Sequence, residues 1–294
     1  MKSGMKIAVI GYGSIGKRHA ANLKSLGQTV VIHDPPAGHK ISGSELNSAS
    51  AWVICSPPAT HYPYLQRAIE MGMPVFVEKP LCTVRQLTAA KTLLVGAKTL
   101  VYPGYCLRHL SQLQELRTKL VTMRVYGFRM DFGYDIRLWR PETDYRNGYN
   151  YTDGLLLDAT HEFDMLRYLL CGEVSTATGV MQQTGAVPLE MQAWDSIDMV
   201  LRVATPSRVI AGTVHSDMVQ KTYYRHYRFW GDAGVMEWQV DINSDSLRTM
   251  YINEMRDFLH CVTEHSKSAV VDIQDAVAAM TVALLCSRGA RGSR

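Results

Sequence analysis

The sequence predicts a doubly wound parallel α/β domain followed by an α+β domain built on a large, open, mostly antiparallel sheet. Three observations lead there. Over the first hundred residues, short β-branched runs alternate with helix-length amphipathic stretches, as in repeated βαβ units. After about residue 120 the pattern changes to long alternating runs, which read as strands with one buried face. The chain has 294 residues, and at roughly 100 to 200 residues per domain that is room for two cores.

Taken in order, the first domain should place strands at 6–10, 29–33, 51–55, 74–77 and 99–102. Crossover helices are expected at 15–26, 61–71 and 84–95, making right-handed connections between parallel strands. In the second half, strands are expected at 121–132, 177–183, 196–204, 208–215 and 223–230. One helix, 155–170, interrupts them, and helices 251–264 and 273–287 close the chain. The tail from Arg288 reads as a frayed end.

Composition narrows the function classes. Apolar residues make up 47% and charged residues 20%, which is globular, and 31 basic against 27 acidic side chains leave only +4. So small a surplus gives no footprint for nucleic acid or an anionic membrane. The aromatic and basic run 223–230 alternates strictly and reads as a strand rather than a base-stacking surface. The longest uncharged stretch near the C-terminus, 276–287, has 12 residues, short of the roughly 20 that span a bilayer. The apolar run 7–10 is too short for a signal peptide. Six scattered cysteines without Cys-x-x-Cys spacing suggest neither disulfides nor a zinc site, so a cytoplasmic protein without a metal is expected.

Gly11-Tyr12-Gly13-Ser14-Ile15-Gly16 has G-x-G-x-x-G spacing between a strand and a helix. The first glycine allows the tight turn, the second lets backbone approach a pyrophosphate, and the third lets helix and strand pack closely. Free amides at the helix start then hold the anion. Asp34, 18 residues after Gly16, ends the second strand, where a carboxylate accepts hydrogen bonds from ribose hydroxyls and repels a 2′-phosphate. No arginine lies between Asp34 and Tyr64 to receive that phosphate, so NAD is expected over NADP.

Lys79, in Val75-Phe76-Val77-Glu78-Lys79-Pro80-Leu81, falls beyond a strand's carboxyl end, where α/β sheets bind ligands. Beside a carboxylate it can donate or accept a proton. In Gly154-Leu-Leu-Leu-Asp158-Ala-Thr-His161-Glu-Phe-Asp164, the carboxylates and His161 repeat at three-residue spacing on one helix. His161 titrates near neutral pH and suits removal of a hydroxyl proton, with an aspartate to orient its ring. No third histidine or cysteine cluster supports a metal there.

These segments, with Ser56-Pro57-Pro58-Ala59-Thr60-His61, resemble the glucose-fructose oxidoreductase, inositol dehydrogenase and rhizopine catabolism (Gfo/Idh/MocA) family over nearly the whole chain. The resemblance implies an NAD-binding Rossmann domain at 1–108 and a substrate-binding and oligomerisation domain at 109–294, with a homodimer or homotetramer formed through the second sheet. It implies cofactor contacts from Gly11 to Gly16, Asp34, Ser56, Pro57, His61, Glu78 and Lys79, and a cis peptide between Lys79 and Pro80. It further implies Lys79, His161 and Asp158 as catalytic residues, and Tyr105, Arg108, Trp139 and Arg140 joining them around a carbohydrate-like substrate. Two departures stand out: Asp158 and His161 are three apart where many members have four, and little lies between Asp34 and Ala51, where an extra turn of helix is usual. The activity implied is hydride exchange between a nicotinamide and a secondary alcohol or ketone of a sugar, cyclitol or sugar derivative. Two alternatives are a cofactor-binding regulator of the same fold and a reductase of a non-sugar substrate such as a linear tetrapyrrole.

Overall fold

The computed structural model describes residues 4–139, 154–186, 194–242 and 244–293. Two compact units emerge, the stretch to His109 together with Asp245–Val277, and Leu110–Ser244 together with the chain from Ala278. The sequence suggested a single division, 1–108 and 109–294. Residues 245–277 instead return to the first unit, because Phe258 buries its ring edge-on against Phe76 and Tyr102, at 5.7 and 5.6 Å between centroids.

The first unit holds a five-stranded parallel sheet of β1 (Lys6–Ile10), β2 (Thr29–His33), β3 (Ala51–Ile54), β4 (Val75–Glu78) and β5 (Val101–Gly104). The strand order is β2-β1-β3-β4-β5, so the order reverses beside β1, the place where such sheets bind ligands. Strands β3, β4 and β5 are buried along their whole length, as a sheet covered on both faces requires. Helices α1 (Ser14–Ser25), α2 (Gly43–Asn47), α3 (Pro58–Glu70) and α4 (Leu87–Val95) complete the βαβ run. Helix α2 is a short helix between Asp34 and Ala51, where the sequence reading found little. Its Ser42 cap accepts a hydrogen bond from the Glu45 amide at 3.1 Å, a short local device that apolar periodicity does not reveal.

The second unit opens with α5 (Ser111–Thr122), which the sequence reading missed although Leu113, Leu116 and Leu120 form its buried stripe. The long strand expected from residue 121 therefore begins later, as β6 (Val125–Asp135). It joins β7 (Glu173–Gln182), β8 (Ser196–Ala204), β9 (Val209–Asp217), β10 (Val219–Gly231), β11 (Gly234–Gln239) and β12 (Ala290–Ser293) in the order β11-β10-β6-β9-β8-β7-β12. Four of the pairings are antiparallel, while β6–β9 and β7–β12 are parallel. The tail expected to fray is thus the edge strand β12.

Between the strands run α6 (Ile136–Trp139), α7 (Gly154–Asp158) and α8 (Thr160–Leu170), and the chain closes with α9 (Ser246–Glu264) and α10 (Ile273–Gly289). Ile197, Met199, Leu201 and Val203 alternate inward along β8, giving the half-buried strand that the pattern predicted. Among the described residues no helix is long and apolar enough to cross a membrane.

Candidate active site

The turn after β1 divides the work of its three glycines. Gly11 has φ +91°, and a Cβ there would lie 2.5 Å from the Ser56 amide nitrogen; a Cβ on Gly16 would lie 2.1 Å from the Gly11 carbonyl oxygen. Both are demanded by the fold. A Cβ on Gly13 would meet nothing within 4 Å, so the protein itself leaves that backbone open. Ser14 and Ile15 begin α1, where the Lys17 amide donates to the Gly13 carbonyl at 2.9 Å and the amides before it point out of the helix start. Asp34 reaches into the same turn, its Oδ2 accepting a 2.6 Å hydrogen bond from the Tyr12 amide. The loop conformation and the carboxylate at the end of β2 are thereby locked together.

Two neighbouring strand ends complete this group. Ser56 and Pro57 form the loop after β3, with Thr60 Oγ1 donating to the Pro57 carbonyl and to Ser56 Oγ, each at 2.7 Å. His61 joins that loop to the next one. Its Nε2 lies 2.7 Å from the Ser56 carbonyl oxygen and its Nδ1 2.8 Å from the Pro80 carbonyl oxygen. At the end of β4 the Lys79–Pro80 peptide is cis. Glu78 Oε2 accepts from the Lys79 amide at 3.0 Å, and Glu78 Oε1 lies 2.6 Å from Nε2 of the buried His19. Glu78 thus faces back into the fold, while Lys79 keeps a half-exposed side chain.

Two expected substrate contacts fall in the first unit. Arg108 is buried and spends Nη1 inside the first unit, 2.9 Å from Asp275 Oδ2 and donating to the Val270 carbonyl at 3.0 Å. It ties the return segment 245–277 to the loop after β5. Tyr105 is buried as well.

In the second unit the expected single helix 155–170 is broken at Ala159 into α7 and α8, so Asp158 ends one helix and His161 begins the next. Tyr134 from β6 donates its hydroxyl hydrogen to Asp158 Oδ2 in a very short contact. His161 and Asp164 are both buried on α8. Between them in sequence Glu162 turns the other way, fully buried, with Arg225 Nε 2.8 Å from its Oε1 and the Tyr227 hydroxyl donating to it at 3.0 Å. The helix that carries His161 is so anchored to β10 by a buried ion pair. The Trp139 side chain and Arg140 lie outside the described residues.

Sequence reasoning missed three of these supports: His19, Glu162 and Arg225. The only cue was adjacency, since His19 follows the glycine motif by three residues and Glu162 follows His161. Arg225 has no local signal, because Glu162 is far away in the chain.

Residues 5–105 match the oxidoreductase family with an NAD-binding Rossmann fold known as Gfo/Idh/MocA. That match spans the five parallel strands of the first unit. Among its relatives, scyllo-inositol 2-dehydrogenase (NAD(+)) of Bacillus subtilis is 22% identical over 93% of this chain and 90% of that protein. An inositol 2-dehydrogenase of Rhizobium meliloti is 26% identical over 70% of this chain and 67% of its own. The fold matches a myo-inositol dehydrogenase from Corynebacterium glutamicum with a TM-score of 0.82 at 17% identity, covering 98% of this chain and 96% of that one. A dinucleotide fits this site: Gly13 leaves backbone open, α1 presents free amides, and Asp34 is held at the end of β2.

Proposed function

We propose that the protein is an NAD(H)-dependent oxidoreductase that interconverts a secondary alcohol and a ketone on a cyclitol or a related sugar. The observation that carries this is the placement of Lys79 at the carboxyl end of β4 in the same unit as the dinucleotide turn, with its main chain tied to Glu78. When bound, the nicotinamide supplies or accepts the hydride. Gly11 to Gly16 hold the pyrophosphate, Asp34 the adenosine ribose, and Ser56, Pro57, His61 and Glu78 the loops that border the ring. Lys79 exchanges a proton at Nζ with the reacting oxygen. That one proton is shared with His161, leaving the hydroxyl during oxidation and returning during reduction, and Asp158, held by Tyr134, orients the polyol. Two inositol dehydrogenases among the relatives support a cyclitol as the first substrate to try.

The second sheet offers a surface for self-association. Val180, Val200, Val209, Trp230 and Val235 share its open face by register and are all exposed, from 39% for Trp230 to 60% for Val209. That supports a homodimer or homotetramer. Retention of both Lys79 and His161 favours turnover over a purely regulatory role.

The test is incubation of the purified protein with NAD+ and inositols, sugars and nucleotide sugars, or with NADH and their keto forms, followed by nicotinamide absorbance. Turnover on a polyol, faster with NAD than NADP, is the expected result. Tight NADH binding with no turnover on any compound would replace this reading with the regulator, and selective reduction of a linear tetrapyrrole would replace the substrate class.

A further inference from the structure

Behind the Lys79 turn, in the first unit, lies a polar cluster that neither the dinucleotide motif nor the proton chemistry explains. Glu254 comes from α9, in the segment that returns to this unit from far along the chain. Its carboxyl group is fully buried and neither oxygen has a hydrogen-bond partner among the described residues. One of those oxygens, a ring nitrogen of His19 and a Glu78 carboxylate oxygen all lie within 4.8 Å of one another. Such an arrangement is expensive, since a buried carboxyl without a partner costs about 1–3 kcal/mol or more.

Three things could answer a buried pair of carboxyls beside a histidine: two negative charges, a cation, or one proton. Two charges so close in an apolar setting are excluded by their repulsion and desolvation. A cation needs both carboxylates ionised and needs Glu78 released from bonds it already makes, to His19 at 2.6 Å and to the Lys79 amide at 3.0 Å. A single proton needs neither, and it belongs on the carboxyl with no donors of its own, Glu254. Burial, with the Glu78 and Asp257 charges adding to it, pushes that group well above the ordinary carboxylate range.

We propose that Glu254 is a positioning residue that remains a neutral acid and presents its O–H to the Glu78 carboxylate, so that Glu78 is the cluster's one anion and is held from three sides. His19 holds Oε1 and the Lys79 amide holds Oε2. Glu254 closes the remaining gap by rotating its own carboxyl. Any tilt of Glu78 passes directly into the Lys79 backbone, because the two residues are adjacent and bonded side chain to main chain. This rests on Lys79 acting in proton transfer, as proposed above.

The test compares Glu254→Gln, which keeps shape and an N–H donor, with Glu254→Met, which keeps volume and loses the donor. The infrared spectrum of the wild type should show the carbonyl stretch of a protonated carboxylic acid, and both variants should lose it. The Gln variant should retain kcat within about twofold, and the Met variant should lose about tenfold in kcat with KM and NADH affinity little changed. The Met variant takes a donor from the buried Glu78 carboxylate, so some loss of Tm is expected beside the loss of kcat, which is therefore read per folded molecule. A merely structural role lowers Tm and leaves kcat per folded molecule intact, and would overturn the proposal. So would a missing acid band, or a divalent metal that copurifies with the wild type, raises its Tm and is lost in the Gln variant. Should Lys79→Met leave turnover intact, the reading of Lys79 fails, while the infrared band still reports on Glu254 independently.

Discussion

The two units build their functional features from different material. In the first, the parts proposed to meet a ligand are backbone devices at the ends of parallel strands: a glycine turn, a helix start and a lysine turn held by its own neighbour. In the second the candidate residues are side chains, Asp158, His161 and Asp164, on short helices tied to β6 and β10. Backbone devices need a few residue types at fixed local spacing, whereas side-chain sites need partners brought together from distant parts of the chain.

The sharpest way to break this comparison is to remove a distant partner in the second unit. Arg225→Leu removes the cation beside the buried Glu162 carboxylate and should lower the stability of that unit by roughly 3–5 kcal/mol. Segment-resolved hydrogen exchange should show β10 and α8 opening while β1 to β4 stay protected. Equal protection in both would mean the pair does not anchor the helix.

The first unit predicts a split within one motif. Gly11→Ala forces a left-handed backbone on alanine and drives its Cβ to 2.5 Å from the Ser56 nitrogen, so a loss of about 3 kcal/mol is expected in urea unfolding. Gly13→Ala meets nothing within 4 Å. Its fold should be unchanged within about 0.5 kcal/mol, with NADH affinity in a calorimetric titration down by about tenfold or more. Normal NADH binding by Gly13→Ala would remove that residue from the cofactor site.

This difference between the units also explains what could be read in advance. The five parallel strands and the glycine and lysine turns are legible because continuous β-branched runs and short motifs specify them without help from elsewhere. The strand 196–204 is legible for a similar reason, as its alternation reports one buried face. Helix α5 was lost because the alternating stretch that follows it masked the leucine stripe at 113, 116 and 120. The ion pair of Arg108 was not legible because its partner Asp275 is 167 residues away, and no local pattern announces an internal ion pair. Likewise the assignment of Asp245–Val277 to the first unit depends on Phe258 finding Phe76 and Tyr102.

The units should also part company in their response to pH. Burial lowers His109 in the first unit to about 4, with the Asp257 charge opposing. Its folded value lies below the unfolded value of about 6.5, so the unit is fully stable above 6.5 and loses up to about 3 kcal/mol as pH falls towards 4. In the second unit the hydrogen bond to Asp217, opposed by burial and aided by Asp198, raises His215 to about 9. That contribution is complete below about 6.5 and disappears as pH rises through 9, and partial exposure reduces it to about 1 kcal/mol. Hydrogen exchange at both extremes should show β5 weakening in acid and β9 in alkali, with His109→Gln and His215→Gln each flattening its own response.

The most direct test of the account compares turnover and NADH affinity in wild type and Lys79→Met, using the best polyol found for the wild type. Loss of turnover by about 100-fold or more, with NADH affinity retained, is the expected result for a lysine that moves a proton beside a dinucleotide held by other residues. Unchanged turnover in Lys79→Met would contradict the assignment of Lys79 and with it the proposed proton chemistry.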